Sequence, residues 1–211
     1  MQDDPPFSVN DIKISNYILL YGQVILVSQD SPFNSWDEFK EYVLENPKTL
    51  SFGGPNASLL AALTIFKQDN LELIIVPYAS TNDSISDFLG GHIDVTTTTP
   101  ANAIPLIEDG LAKPLLKMDP SNQGVLKDIP YAPDLGYDII EFSRWIGFHP
   151  DTPEEILDYV SNAFSRMLED PSVKALLKQL GEEPVFIPRE EAQKRYNKTM
   201  ELMSKAVEFV K

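Results

Sequence analysis

A β-prone run that turns directly into an amphipathic helix commits a chain to βα units, and residues 49–66, TLSFGGPNASLLAALTIF, read that way. Positions 49–52 are short and β-prone. Gly53-Gly54-Pro55 is a predicted break that lets the backbone approach whatever lies above it. Asn56 is the predicted helix cap, and Leu59, Leu60, Leu63 and Phe66 recur at helical spacing. The amides that open such a helix have no internal partner and face outward, with the positive end of the helix dipole behind them, so the corner suits an anion. The plainer reading is an ordinary βα corner, because the glycine pair is not GxGxxG and no Lys-Ser/Thr follows as in a phosphate loop.

The pattern recurs. Residues 17–28, YILLYGQVILVS, are apolar almost throughout and predict one long strand, or two broken at Gly22, buried on both faces. Ser35-Trp36-Asp37-Glu38 is a capping box, with Trp36, Phe39 and Val43 as the buried stripe. Residues 71–77 predict a buried strand, and 81–89 a short helix stopped by Gly90-Gly91. Residues 93–99 predict the next strand. Thr99-Pro100 then makes a second strand-to-helix junction, with Thr99 as cap and Pro100 first in the helix. Residues 113–117 read as a strand, and Pro114 either places it at a sheet edge or delays its start.

Residues 1–16 read as an irregular lead-in, and 119–138, rich in Asp, Pro, Gly and Asn, as the longest loop and a lobe connection. Residues 139–149 predict a strand. Three helices follow: one opened by a capping box at Thr152-Pro153-Glu154-Glu155, one from Asp170-Pro171 to Gly181, and one over 189–210. A short strand at 184–187 precedes the last. This alternation predicts an α/β fold with mainly parallel sheets. Such sheets place ligands at the carboxyl ends of strands, beside helix starts. The corners at 53–58 and 97–102 are the two best such places.

Charge narrows the partners. Seventeen basic against 32 acidic residues give a net charge of −15, which argues against nucleic acid or an anionic membrane surface. A small anion is still compatible, since backbone amides hold anions without net positive charge. With no cysteine there is no disulfide or thiolate chemistry, and His92 and His149, far apart, give little support to a metal site or an acid–base dyad. No apolar run approaches the ~20 residues of a membrane-crossing helix. The acidic start, Met1-Gln2-Asp3-Asp4, is unlike a signal peptide.

A set of ordered motifs resembles one family. Asp30-Ser31-Pro32-Phe33, Ser35-Trp36-Asp37-Glu38 and Glu45-Asn46-Pro47-Lys48-Thr49-Leu50 lead into a glycine-bearing loop from Ser51 to Ser58. Val76-Pro77-Tyr78 and Phe88-Leu89-Gly90-Gly91-His92-Ile93-Asp94 follow. Ser143-Arg144-Trp145-Ile146-Gly147 precedes Asp151-Thr152-Pro153, and Asp170-Pro171 and Leu180-Gly181-Glu182-Glu183-Pro184 complete the series. In order and spacing the chain resembles the extracytoplasmic solute receptors of the tripartite tricarboxylate transporters, the Bug receptors.

The resemblance implies a type II periplasmic-binding-protein fold: two α/β lobes hinged around a cleft. It implies capture of a small organic carboxylate outside the cytoplasm, without a cofactor or metal, and docking of the loaded receptor on a membrane permease. Residues 23–142 would form lobe two, and 1–22 with 143–211 what is present of lobe one. The family's first strand, ligand loop and helix would precede Met1, so lobe one is expected to be incomplete and self-association of the chain is expected. The family's frequent Pro-Tyr-Lys-Gly is here Pro77-Tyr78-Ala79-Ser80, without the basic residue.

The candidate ligand groups are Ser51, Asn56, Ser58, Thr97, Thr98, Thr99 and Asn102, with the amides of Gly53, Gly54 and Ala57. Arg144 and Trp145 stand where lobes should join; Trp145 is either core or cleft wall, and Arg144 either a ligand group or paired with a structural carboxylate. No Ser-His-Asp order, metal set or phosphate loop stands out, so a receptor is expected rather than an enzyme on small acids. A regulatory or interaction module of the same fold is the alternative.

Overall fold

The computed structural model describes residues 11–120, 124–179 and 184–207. The expected lead-in over 1–10, the Gly181 helix stop and Val210 at the end of the last helix lie outside them. In chain order the elements begin β1 (Lys13–Tyr21), β2 (Val24–Ser28), α1 (Trp36–Glu45), β3 (Ser51–Pro55), α2 (Asn56–Gln68), β4 (Ile74–Tyr78) and α3 (Thr81–Leu89). They continue β5 (Val95–Thr98), α4 (Pro100–Glu108), β6 (Ala112–Lys117), β7 (Phe142–Phe148), α5 (Glu154–Glu169), α6 (Pro171–Gln179), β8 (Pro184–Pro188) and α7 (Arg189–Val207). The chain divides into two compact units, Met1–Leu20 with Glu141–Glu201, and Tyr21–Ile140 with Leu202–Lys211.

The larger unit is built on a five-stranded sheet in the order β4-β3-β5-β2-β6. β3 runs parallel to β4 and β5, whereas β2 runs antiparallel to both β5 and β6. Four strands therefore share one direction, as the strand–helix alternation predicts, and β2 alone is reversed between them. The sheet is mixed rather than parallel throughout. β2 still reads as continuous apolar sequence because both its faces are covered: Val24, Ile25, Leu26 and Val27 are all buried. Val24 and Leu26 pack with Phe88, Ile93, Ala103, Ala112 and Leu126. β6 is an edge strand, where its Pro114 costs no ladder bond. β4, expected to be buried, is the other edge, and Ile74 is half exposed.

Local signals set the helix ends. Ser35 caps α1 by accepting from the Glu38 amide at 3.1 Å, while Glu38 Oε2 accepts from the Asn34 amide at 2.7 Å. Trp36 stacks on Phe39 and Phe66 beneath this cap. Its indole N–H donates to Tyr137 Oη at 3.0 Å, and that hydroxyl bonds Asp69, which anchors the chain after β6. α3 ends at Gly90, and Gly91 takes the left-handed φ of 72° expected of a helix stop.

The smaller unit holds a three-stranded sheet, β7-β1-β8, with β1 antiparallel to β8. β1 starts at Lys13, earlier than the lead-in reading allowed, and the long apolar run breaks after Tyr21, at Gly22-Gln23. Ile14, Tyr17, Ile187, Ala192 and Tyr196 form the core here. α5 begins one residue later than its capping box suggests: Pro153 is the cap residue and supplies no side-chain bond. Glu154 instead bonds Lys13 Nζ at 3.0 Å and the Arg189 guanidinium, and these cations hold its carboxyl below the usual glutamate range.

Candidate functional site

The first corner is tighter than its sequence suggests. β3 runs through Gly53 and Gly54 to Pro55, and α2 starts at the next residue. Neither glycine has a positive φ. They are needed for space: a Cβ on Gly53 would stand 2.5 Å from Ile93 Cδ1 and 2.7 Å from Tyr78 Cε2, and one on Gly54 3.1 Å from Thr97 Cγ2. The Tyr78 ring is fixed by its hydroxyl, which donates to Asp87 Oδ2 at 2.7 Å; that bond, with burial, pushes the phenol up to about 12. The cap residue is Pro55, with φ −70° and ψ 150°, not Asn56, which is the first residue of the helix. Proline has no side-chain acceptor, so no cap side chain binds the opening amides of α2. Asn56 and Ala57 are exposed there and Ser58 is half-buried.

The second corner follows β5. Thr96 Oγ donates to the Gly53 carbonyl at 3.0 Å and ties the two strands together. Thr98 Oγ accepts from Asn102 Nδ2 at 3.2 Å, so those two candidates partner each other. Thr99 caps α4 through its carbonyl, which accepts from the Asn102 and Ala103 amides at 3.1 and 2.9 Å. Its hydroxyl makes no capping bond, and Pro100 follows at the first helical position. Thr97 is fully buried and its Oγ has no partner.

The sheet brings the corners together. β3 and β5 are adjacent and parallel, with Phe52 beside Val95 and Gly53 beside Thr96. Their carboxyl ends therefore lie at one end of the sheet, and α2 and α4 both start there. Gly53, Gly54, Asn56, Ala57, Ser58, Thr97, Thr98, Thr99 and Asn102 belong to this cluster. Ser51 does not. It sits at the amino end of β3, where its amide and hydroxyl donate to Asp94 Oδ2 at 2.8 and 2.6 Å. Asp94 is the last residue of the Leu89–Asp94 motif, and here it holds two strands in register.

Arg144 and Trp145 lie on β7 of the other unit. Trp145 is 37% exposed and packs edge-to-face on Tyr196 at 5.3 Å between ring centroids. Arg144 is exposed. Below them Arg195 bonds Glu191 at 2.8 Å and Glu141 at 3.1 Å. Burial pushes the Glu141 carboxyl up despite the guanidinium, and pushes the Tyr17 phenol up to about 12.

One residue escaped the sequence reading. Gln23 is 2% exposed, its Oε1 has no hydrogen-bond partner, and it stands at the head of β2 beside the end of β5. The available signal was a lone amide inside the apolar run 17–27.

Comparison with known proteins places this geometry in a family. A sequence model described as the tripartite tricarboxylate transporter family receptor matches residues 2–208. The UPF0065 protein in the gbd 5′ region of Cupriavidus necator is 26% identical over 83% of this chain and 56% of its own length. A UPF0065 protein of Pseudomonas sp. strain P51 is 28% identical over 75% of this chain and 49% of its own. The chain thus spans about half the length of the curated relatives it matches. Among solved structures, a TctC solute-binding protein from Polaromonas superposes with a TM-score of 0.79 at 20% identity, covering 95% of this chain and 72% of that one. MatC from Rhodopseudomonas palustris with bound malate gives 0.67 at 19%, covering 98% and 72%. These likenesses carry the fold, and the match over residues 2–208 carries the family: the chain belongs to the tripartite tricarboxylate transporter receptors.

Proposed function

We propose that this chain belongs to an extracytoplasmic receptor that binds a small organic carboxylate and delivers it to a membrane permease. Its two units then correspond to the receptor's two lobes, with boundaries near residues 22 and 142. The observation that carries the reading is the pairing of β3 and β5. Two adjacent parallel strands each run into a helix whose cap residue, Pro55 or Thr99, contributes no side-chain hydrogen bond. The opening amides of α2 keep their donor capacity, whereas at α4 Pro100 has no N–H and the Asn102 amide already donates to the Thr99 carbonyl, so that start offers the Ala101 amide; both dipoles present their positive ends at one end of the sheet. A carboxylate takes such donors well because charge-assisted bonds are stronger than neutral ones. The family and the malate-bound neighbour are consistent with this ligand class.

The test is a thermal-shift screen of the chain with mono-, di- and tricarboxylates against neutral sugars. A ligand that binds only the native state raises the melting temperature in proportion to the logarithm of its concentration. Stabilisation by at least one carboxylate and by no sugar is expected. Stabilisation by sugars with no response to carboxylates refutes the reading.

A further inference from the structure

In the smaller unit, α5 carries more apolar surface than its own unit covers. Of its side chains only Leu157 and Leu168 are buried. Ile156 is 44% exposed, Met167 38% and Tyr159 71%. At about 3.6 residues per turn, Ile156, Tyr159, Ala163 and Met167 fall on one line along the helix, roughly a third of a turn from the line through Leu157 and Leu168. One line packs into the unit and the other faces outward. A helix that needed a single neighbour would carry charge on the second line, as surface helices do.

The outward line is complementary to itself end for end. Consider a second α5 turned about a two-fold axis level with residues 160 and 161. Each Tyr159 then lies against the partner's Ala163, a large side chain over a small one. Each Ile156 fits between the partner's Ala163 and the partner's Met167. This is the interdigitation that close helix packing requires.

Charge complements the same arrangement. Glu155 and Arg166 are exposed, and they stand eleven residues apart on one flank of the line. The two-fold brings each Arg166 beside the partner's Glu155, which gives two symmetric pairs of opposite charge at the rim. Parallel alignment would instead set the two acidic first turns, with Glu154 and Glu155, side by side and align the helix dipoles. A lipid surface fits less well, because α5 carries four acidic residues and only one basic one, Arg166.

We propose that the outward face of α5 docks a second copy of this chain, the two helices antiparallel across a two-fold axis. The ligand site takes no part, so this stands or falls apart from the carboxylate reading. A contact of one helix from each copy is smaller than the roughly 1,600 Å² of a standard protein interface, so the dimer is expected to be reversible.

Sedimentation velocity of the 211-residue chain, from micromolar to submillimolar concentration, tests it. Passage from monomer to dimer is expected as concentration rises. Tyr159→Asp is expected to raise the dissociation constant at least about tenfold, as loss of a central aromatic anchor does. Arg166→Glu is expected to weaken the dimer as well, and Arg166→Glu combined with Glu155→Arg to restore it. All three positions are exposed, and equal melting temperatures at monomeric concentration show that the variants fold. A chain that stays monomeric throughout overturns the inference and leaves the face to a different polypeptide. A dimer indifferent to Tyr159→Asp overturns it too, since its contact then lies elsewhere. Failure of the double exchange to restore what Arg166→Glu removes overturns the end-for-end arrangement, and the proposal with it.

Discussion

The Ser51 hydroxyl donates to Asp94 Oδ2 at 2.6 Å, and the Asp94 amide donates back to Ser51 Oγ at 3.0 Å. With the Ser51 amide on the same carboxylate oxygen, this reciprocal lock joins the amino end of β3 to the residue before β5. It fixes the register of the two strands whose far ends carry the helix starts. Ser51 thus serves the site from about the length of the strand away. Ser51→Ala is expected to lower stability by about 1 kcal/mol, the worth of a hydrogen bond to a charged group discounted for exposure. Carboxylate affinity should change less than threefold, roughly the scatter of a surface substitution. Denaturant unfolding and calorimetry measure the two. A large loss of affinity with unchanged stability would assign Ser51 to the ligand.

Gly53 is a test of space rather than of backbone freedom. Its added Cβ meets the end of the Ile93 side chain and the face of the Tyr78 ring. Ile93 can turn aside, but the ring is held by Asp87. Gly53→Ala is expected to cost about 1–3 kcal/mol, as overpacking does in a well-filled core. In the background of Tyr78→Leu the cost should shrink, and a double-mutant cycle reads the difference as coupling between the two positions. Additive costs would mean that the strain comes from somewhere other than the ring.

The smaller unit has its own acid sensitivity. Lys13 and Arg189 converge on Glu154 and lower its pKa. A carboxyl lowered in the folded state contributes stability above its unfolded value, and that contribution is lost as pH falls through the folded one. Glu154→Gln is therefore expected to lower the melting temperature slightly at pH 7, and the difference to shrink as the pH falls through the acid range. The difference is small because the group is exposed and screened. Thermal unfolding against pH checks it, and a difference that grows on acidification would contradict the sign.

Much of this was legible in the sequence. The strand–helix alternation, both corners, the Ser35 cap and the Gly90-Gly91 stop are local signals, and local signals survive folding. What failed to show was pairing. Nothing within residues 24–28 reveals that β2 inserts between β5 and β6 against their direction, because a strand buried on both faces reads alike in a parallel or a mixed sheet. β4 looked buried by its apolarity although it ends the sheet. Asn56 looked like a cap because it is a good one, but Pro55 already had extended dihedrals and the helix started behind it. The role of Ser51 depends on Asp94, 43 positions away, and that separation has no sequence signature.

Pro55 offers the sharpest separation of stability from binding. Its φ of −70° and ψ of 150° are those of an N-cap residue, so another side chain can take its place without moving the backbone. Pro55→Asp would put a carboxylate where it accepts from the second or third amide of α2 and meets the positive end of the dipole. The cap should contribute about 1 kcal/mol, and losing the proline's restraint on the unfolded chain should remove about 0.4–1 kcal/mol, so net stability stays nearly level. Binding should not. The new carboxylate occupies the donors proposed for the ligand and repels its charge, so affinity for an external carboxylate is expected to fall by at least about tenfold, or 1.4 kcal/mol. Pro55→Ala, which leaves the amides uncapped, should retain affinity while losing the proline's small contribution. Calorimetry on the pair decides the matter. If Pro55→Asp binds as tightly as Pro55→Ala, the α2 amides do not hold the ligand, and the β5–α4 corner would have to hold it alone.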